Sequence, residues 1–184
     1  MKNDNEELLN LEEFKEKISE VSKSDKESFI DSDIEIINFD ELKKAYCKKR
    51  SNIENPPKSN DGLYISNECM IFLEFKNANA KDIDGYELAK KNYDSICMLS
   101  DILVISIRTI REKTRYILVY SSEKNSKIEL GNSFLKKSKT KEITLKSLKE
   151  SCFQQKKFLN YLYYNVEAIN DKEFKEKYLG KEII

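Results

Sequence analysis

Glu74 and Lys76 stand two residues apart at the end of an uncharged apolar run, Cys69-Met70-Ile71-Phe72-Leu73. In an extended strand successive side chains alternate faces, so this carboxylate and this ammonium point the same way. Asp61 opens the apolar segment just before, Gly62-Leu63-Tyr64-Ile65. If the two segments pair as a hairpin, Asp61 reaches the same edge of the sheet. Two carboxylates and an ammonium converging there can hold a divalent cation and assist attack on a phosphodiester. The competing reading is a structural Glu–Lys pair. Either way a carboxylate at the mouth of a buried strand needs a partner, because desolvation is costly without one. The same tripeptide occurs as Glu13-Phe14-Lys15 and Glu173-Phe174-Lys175. Those copies have helical spacing and charged neighbours, and read as solvated helix faces with one buried Phe.

The elements that would position these residues follow from periodicity and turn chemistry. Residues 5–22 place Leu8, Leu9, Leu11, Phe14 and Ile18 near one helical face, which predicts an amphipathic helix, with a polar connector over 22–32. Residues 34–39 read as a short strand, and Asp40 as the cap of a helix over 41–50. Pro56-Pro57 cannot continue that helix, so 51–60 is a loop leading to Asp61. After the hairpin, a long helix over 83–101 would bury Leu88, Tyr93, Ile96, Cys97 and Leu99. Residues 103–107 fit a strand or a helix tail equally. Then come a buried strand over 115–121, a lysine-rich mobile excursion over 123–141, a short helix over 145–153 and a strand over 159–169. A last helix, capped by Asn170 or Asp171, ends at Gly180. The expected class is α/β (α+β), a central mixed sheet flanked by helices, in a single domain over 1–184: an acidic helical arm and connector (1–32), then a core (33–184) with a C-terminal helix.

Composition limits the chemistry. The 184 residues include no histidine, and the four cysteines at 47, 69, 97 and 152 form no CxxC pair. That excludes recognisable zinc motifs and Ser-His or Cys-His nucleophiles. Cys69 and Cys97 lie in apolar runs and read as core thiols. Acid–base work falls to carboxylates, lysines or a metal-bound water. The net charge of zero divides into −9 for residues 1–41 and +9 for the remainder. A basic body with an acidic arm suits a nucleic-acid surface that the arm could shield, and suits ordinary charged helices as well. The polar, acidic start and the interrupted apolar run over 96–107 point to a cytoplasmic protein with no membrane segment.

The order helix, acid before a strand, strand ending in Glu-x-Lys, helix, strand over roughly 41–121 resembles the PD-(D/E)XK nuclease superfamily, the restriction-endonuclease-like fold. The proline that often precedes the first acid in that family is replaced here by Asn60. The resemblance implies that Asp61 and Glu74 are ligands of Mg²⁺ or Mn²⁺, and that Lys76 orients the attacking water and stabilises charge. A further acid from the preceding helix would be Glu41. A nuclease would also place Lys90 and Lys91 on phosphates; otherwise they face solvent. The function implied is metal-dependent hydrolysis of nucleic-acid phosphodiesters. The alternative is a non-catalytic protein-binding module on the same fold, such as an immunity or accessory protein in a bacterial defence or competition system. Tyr161, Tyr163 and Tyr164 could stack on bases, although strand aromatics more often pack in the core or on the sheet.

Overall fold

The computed structural model describes residues 9–24, 27–50, 53–131 and 145–180. Six strands build one mixed sheet: β1 (Lys15–Lys17), β4 (Glu35–Asn38), β5 (Gly62–Ile65), β6 (Met70–Lys76), β7 (Thr114–Tyr120) and β8 (Asn165–Asn170), adjacent in that order. β1, β4, β5 and β6 run antiparallel to one another, with Ile37 opposite Leu63 and Leu63 opposite Phe72. β6, β7 and β8 are parallel, with Glu74 opposite Leu118 and Leu118 opposite Ala168. A small antiparallel pair, β2 (Lys23–Ser24) and β3 (Glu27–Ser28), stands apart from it. The helices are α1 (Ile18–Val21), α2 (Phe39–Lys49), α3 (Gly85–Leu103), α4 (Ile107–Lys113), α5 (Ser122–Gly131), α6 (Leu145–Glu150) and α7 (Asp171–Phe174), the last widening into a π turn over Lys175–Leu179. This is a mixed α/β architecture, as the alternation of elements predicts. Among the described residues no helix is long and apolar enough to cross a membrane.

The central strands are apolar on both faces because both faces are covered. Phe72, Tyr116, Leu118 and Tyr120 pack with Phe39 and Leu42 of α2, Leu88, Ile96 and Leu99 of α3, and Phe153 and Phe158 beyond α6. Ile71, Leu73, Phe75, Ile117 and Val119 point to the opposite face and pack with Ile18, Ile30, Phe174 and Tyr178. Glu74 shares the face of Phe72 by strand alternation, and so looks toward α3.

Several expectations change. The helix over 5–22 is replaced, within the described residues, by a 3-10 turn at Leu11–Phe14, the edge strand β1 and the single turn α1. The apolar spacing is real, but Ile18 is fully buried against the sheet, as is Ile30 of the supposed connector. Burying one such side chain contributes about 1.5–3 kcal/mol, more than the few tenths per residue that helix propensity offers. The first 32 residues, as far as they are described, therefore belong to the core rather than to an arm. Asn38, not Asp40, caps α2, accepting from the backbone N–H of Asp40 and Glu41 at 3.1 Å each. Tyr93 and Cys97 of α3 are exposed, because the buried stripe runs through Leu88, Asn92, Ser95 and Leu99 instead; Cys69 is only half-buried, while Cys152 is buried. Residues 103–107 end one helix and begin another. Residues 122–131 are helical, and 132–144 lie outside the described residues. The strand over 159–169 shortens to β8, and the chain before it is a 3-10 turn (Gln155–Phe158) and a loop.

α3 ends on Val104, which adopts the left-handed conformation (φ 53°) and is 73% exposed. A Cβ in this region costs about 1–2 kcal/mol, and Val adds a branch. At that exposure the side chain gains little burial to offset the cost. Val104→Gly is expected to raise the unfolding free energy by about 1 kcal/mol, and Val104→Ala by less. Urea denaturation of the three proteins checks the order.

Candidate functional site

Asp61 sits immediately before β5, where its backbone N–H donates to Leu73 O (3.1 Å) and its carbonyl accepts from Phe39 N (3.0 Å). These bonds tie the residue to β6 and to the start of α2 at once. Its Oδ2 accepts the backbone N–H of Phe75 (2.7 Å), so the carboxylate extends the β5–β6 ladder by one bond. Upstream, buried Asn60 donates its N–H to Ser95 Oγ of α3 (2.8 Å), and its amide lies 3.4 Å from Asn92 Oδ1. Asn92 in turn accepts from the Tyr163 hydroxyl (2.6 Å). Asp61 thus leaves a polar-anchored loop for a strand, and its Oδ1 is left facing α3.

Glu74 and Lys76 meet Asp61 there, together with Lys91. The Lys91 ammonium lies 2.9 Å from Asp61 Oδ1 and 2.7 Å from Glu74 Oε1, bridging the two acids. Lys76 Nζ stands 2.7 Å from the same Glu74 oxygen. The side chain of Glu74 is 0% exposed, against 17% for Asp61, 19% for Lys91 and 30% for Lys76. Glu74 Oε2 is buried with no hydrogen-bond partner among the described residues, an uncommon condition for a carboxylate oxygen. Burial, and then the neighbouring Asp61 charge, push the Glu74 pKa up to about 7 against the pull of the two lysines. Burial works against the Lys91 ammonium too, but Glu74 and Asp61 outweigh it and hold its pKa above the ordinary lysine value.

A cleft of about 290 Å³ opens beside Asp61 and Lys76. Val21–Ser24, from α1 and β2, wall it opposite Asp40, Phe75 and Asn77. Asp40 brings a second carboxylate, beside Asp61, to the cleft. Burial opposes its ionisation, but hydrogen bonds from Lys43 (2.7 Å) and Ser59 hold its pKa below the usual range.

Of the residues singled out from sequence, Asp61, Glu74, Lys76 and Lys91 come together. Glu41 does not: its Oε1 is 2.5 Å from Lys44 Nζ at the surface, and one helical position separates it from Asp40, which faces the cleft. Lys90 is exposed on another side of α3, 100° of helical rotation from Lys91. Tyr163 is wholly buried, Tyr164 stacks with Arg115, and Tyr161 is exposed. Asp40 and Asn92 carry no motif; recognising that Asn38 is the cap would have put Asp40 on the inward side.

Asp61 and Glu74 could together hold a divalent cation only where the Lys91 ammonium now sits. One point already lies within 2.9 Å of an oxygen of each acid, and Glu74 keeps a spare oxygen. Among the described residues no three acids, cysteines or histidines gather into a cage. Such a site therefore suits an ion that takes one or two carboxylates and completes its shell with water and phosphate, as Mg²⁺ does. Comparison with known proteins finds no matching family model, no curated relative and no similar solved structure.

The raised pKa of Glu74 has a sign that stability can test. From 4.5, its ordinary value, up to about 7 the folded state holds a proton that the unfolded state has released. Stability must therefore fall as pH rises through that window. In metal-free buffer, the stability of wild type relative to Glu74→Gln is expected to decrease from pH 4.5 to 7, as measured by urea unfolding at each pH. Parallel pH profiles for the two proteins would contradict this ionisation.

Proposed function

We propose that the protein hydrolyses nucleic-acid phosphodiesters with a divalent cation, Mg²⁺ or Mn²⁺, bound at Asp61 and Glu74. The observation that carries this reading is the meeting of Asp61 and Glu74, from separate positions in the chain, on one cationic centre beside an open cleft. The half-unpartnered burial of Glu74 adds to it, since strongly perturbed buried acids cluster at functional sites. The resemblance of the Asp61…Glu74-Phe75-Lys76 pattern to PD-(D/E)XK nucleases points the same way.

When bound, the cation supplies a polarised phosphoryl oxygen and a more acidic water. Asp61 Oδ1 and Glu74 would hold it, and the Phe75 N–H keeps the Asp61 carboxylate oriented through Oδ2. Lys91 must then yield at least one carboxylate, which frees its ammonium for a phosphate oxygen. Lys76 lines the cleft while contacting Glu74, so its charge is placed to stabilise negative charge building on the phosphate.

The specific observation that favours a second reading is also Lys91. Two acids closed by the Lys91 ammonium, with Lys76 on the same Glu74 oxygen, balance to zero charge and can serve as a structural core, which fits the non-catalytic protein-binding module.

Incubating the protein with labelled single- and double-stranded DNA and RNA in Mg²⁺ or Mn²⁺ separates the two. Hydrolysis is expected in wild type, with Asp61→Asn and Glu74→Gln slower by at least about a hundredfold while their far-ultraviolet circular dichroism is retained. A wild type inert on all four substrates with both metals would reject catalysis and leave the binding module.

A further inference from the structure

The outward side of α3 carries a second set of residues that the acid–lysine site does not use. Tyr86, Lys90, Tyr93 and Cys97 follow one another at helical spacing and are all exposed, Tyr86 to 75% and Tyr93 to 42%. Tyr86 and Tyr93 are about 10 Å apart along the axis. The loop after α6 packs alongside. Tyr93 meets Phe158 edge-on at 5.0 Å and Tyr161 at 6.3 Å, and Tyr161 is itself 52% exposed. Lys157 places its ammonium 5.1 Å from the Phe158 ring, and Lys156 beside it is exposed.

That loop is held in an expensive shape. Cys152, Phe153 and Gln154 are consecutive non-glycine residues with φ of 48°, 52° and 68°, and Asn160 has φ 60°. Each such residue costs on the order of 1–3 kcal/mol, and conformations of this kind gather at ligand-binding segments. Gln155 fixes the loop to α3: its buried amide donates to Gly85 O and Phe153 O, both at 2.9 Å. Tyr161 follows this anchored turn, its backbone N–H donating to Phe158 O at 3.0 Å.

Charge selects the partner. Lys90, Lys156 and Lys157 take part in no ion pair among the described residues. The acids on the neighbouring side of α3 are engaged elsewhere, Glu87 with the Lys58 ammonium (3.6 Å) and Asp94 with the Lys58 backbone N–H (2.7 Å). Exposed rings interleaved with ammoniums that form no ion pair among the described residues complement a ligand with flat apolar faces and negative charge. We propose that this face binds single-stranded nucleic acid, with bases stacked on Tyr93, Tyr161 and Tyr86 and phosphates on Lys90, Lys156 and Lys157. A duplex hides its base faces, so the rings favour the single strand.

Fluorescence anisotropy of a labelled oligothymidylate, titrated with the protein in EDTA, tests the inference. EDTA removes divalent ions, so the outcome is independent of any hydrolysis at Asp61 and Glu74. Wild type is expected to bind, and to bind a blunt duplex of equal length more weakly. Tyr161→Ala, at an exposed position, should weaken binding about tenfold, with Tyr161→Phe retaining most of it. Lys90→Glu with Lys156→Glu should weaken binding and flatten its salt dependence. Oligothymidylate left unbound by wild type would overturn the proposal and assign the face to a protein partner. Tyr161→Ala and the double charge reversal both binding as tightly as wild type would overturn it equally.

Discussion

A carboxylate with no exposed surface, Glu74, is held at the end of the central strand by two ammoniums, and much of the architecture answers to that arrangement. Removing one partner of a buried ion pair costs about 3–5 kcal/mol, because the remaining charge stays out of water. The constraint reaches well beyond the pair. Lys91 can satisfy Glu74 and Asp61 together only if α3 lies across the β5–β6 hairpin at one rotation and one height. The Ser95 and Asn92 contacts to Asn60, one and less than one turn further along α3, hold that same setting. Asp61, bonded to β6 and α2 through its own backbone and to Phe75 through its side chain, closes the corner from the other direction. The asymmetry within Glu74 then matters: Oε1 takes both lysines, and Oε2 takes no hydrogen bond among the described residues.

How far this was legible in the sequence depends on the kind of signal. β6 and β7 could be read directly, because a strand covered on both faces is a continuous apolar run bounded by charge. The alternation rule placed Glu74 and Lys76 on one face without any knowledge of the fold. Lys91 could be placed on a helix following the motif, but not distinguished from Lys90. Only the packing of Leu88, Asn92 and Ser95 sets which of two adjacent lysines turns inward, and two polar residues in that stripe blur the pattern. Asp40 was missed for a related reason. Asn38 and Asp40 are both good capping residues, and a shift of two positions moves an acid from the cap to the cleft side of the first turn.

The errors at the two ends of the chain share a different origin. Residues 11–18 have helical apolar spacing, yet a three-residue strand bonds to the edge of β4 because it carries Ile18 into a fully buried position. Residues 159–164 continue the aromatic, β-branched content read as a strand over 159–169, yet stay in a loop with Asn160 left-handed, and Cys152, Phe153 and Gln154 just upstream are left-handed as well, which no local preference supports. In both places tertiary contacts override local propensity. The second override is at the surface, where the burial it secures (Phe153, Gln155 and Phe158) comes with a row of exposed polar and aromatic side chains.

The zero net charge has a consequence for how such a protein could engage nucleic acid. Long-range attraction sums over the whole surface, so a neutral chain gains little steering and little non-specific affinity at physiological salt. Affinity has to come from short-range geometry instead. Several lysines of the N-terminal stretch are already paired, Lys15 with Glu12, Lys17 with Asp33 and Lys23 with Glu20. Lys43 and Lys44 on α2 are likewise engaged by Asp40 and Glu41. Among the described residues, Lys90 on α3 and Lys156 and Lys157 in the loop after α6 lie beside exposed rings and form no ion pair. Stacking on those rings survives salt better than phosphate contacts do, so α3 can serve a neutral protein on two sides: inward through Lys91 at the acids, and outward through tyrosines that do not depend on net charge.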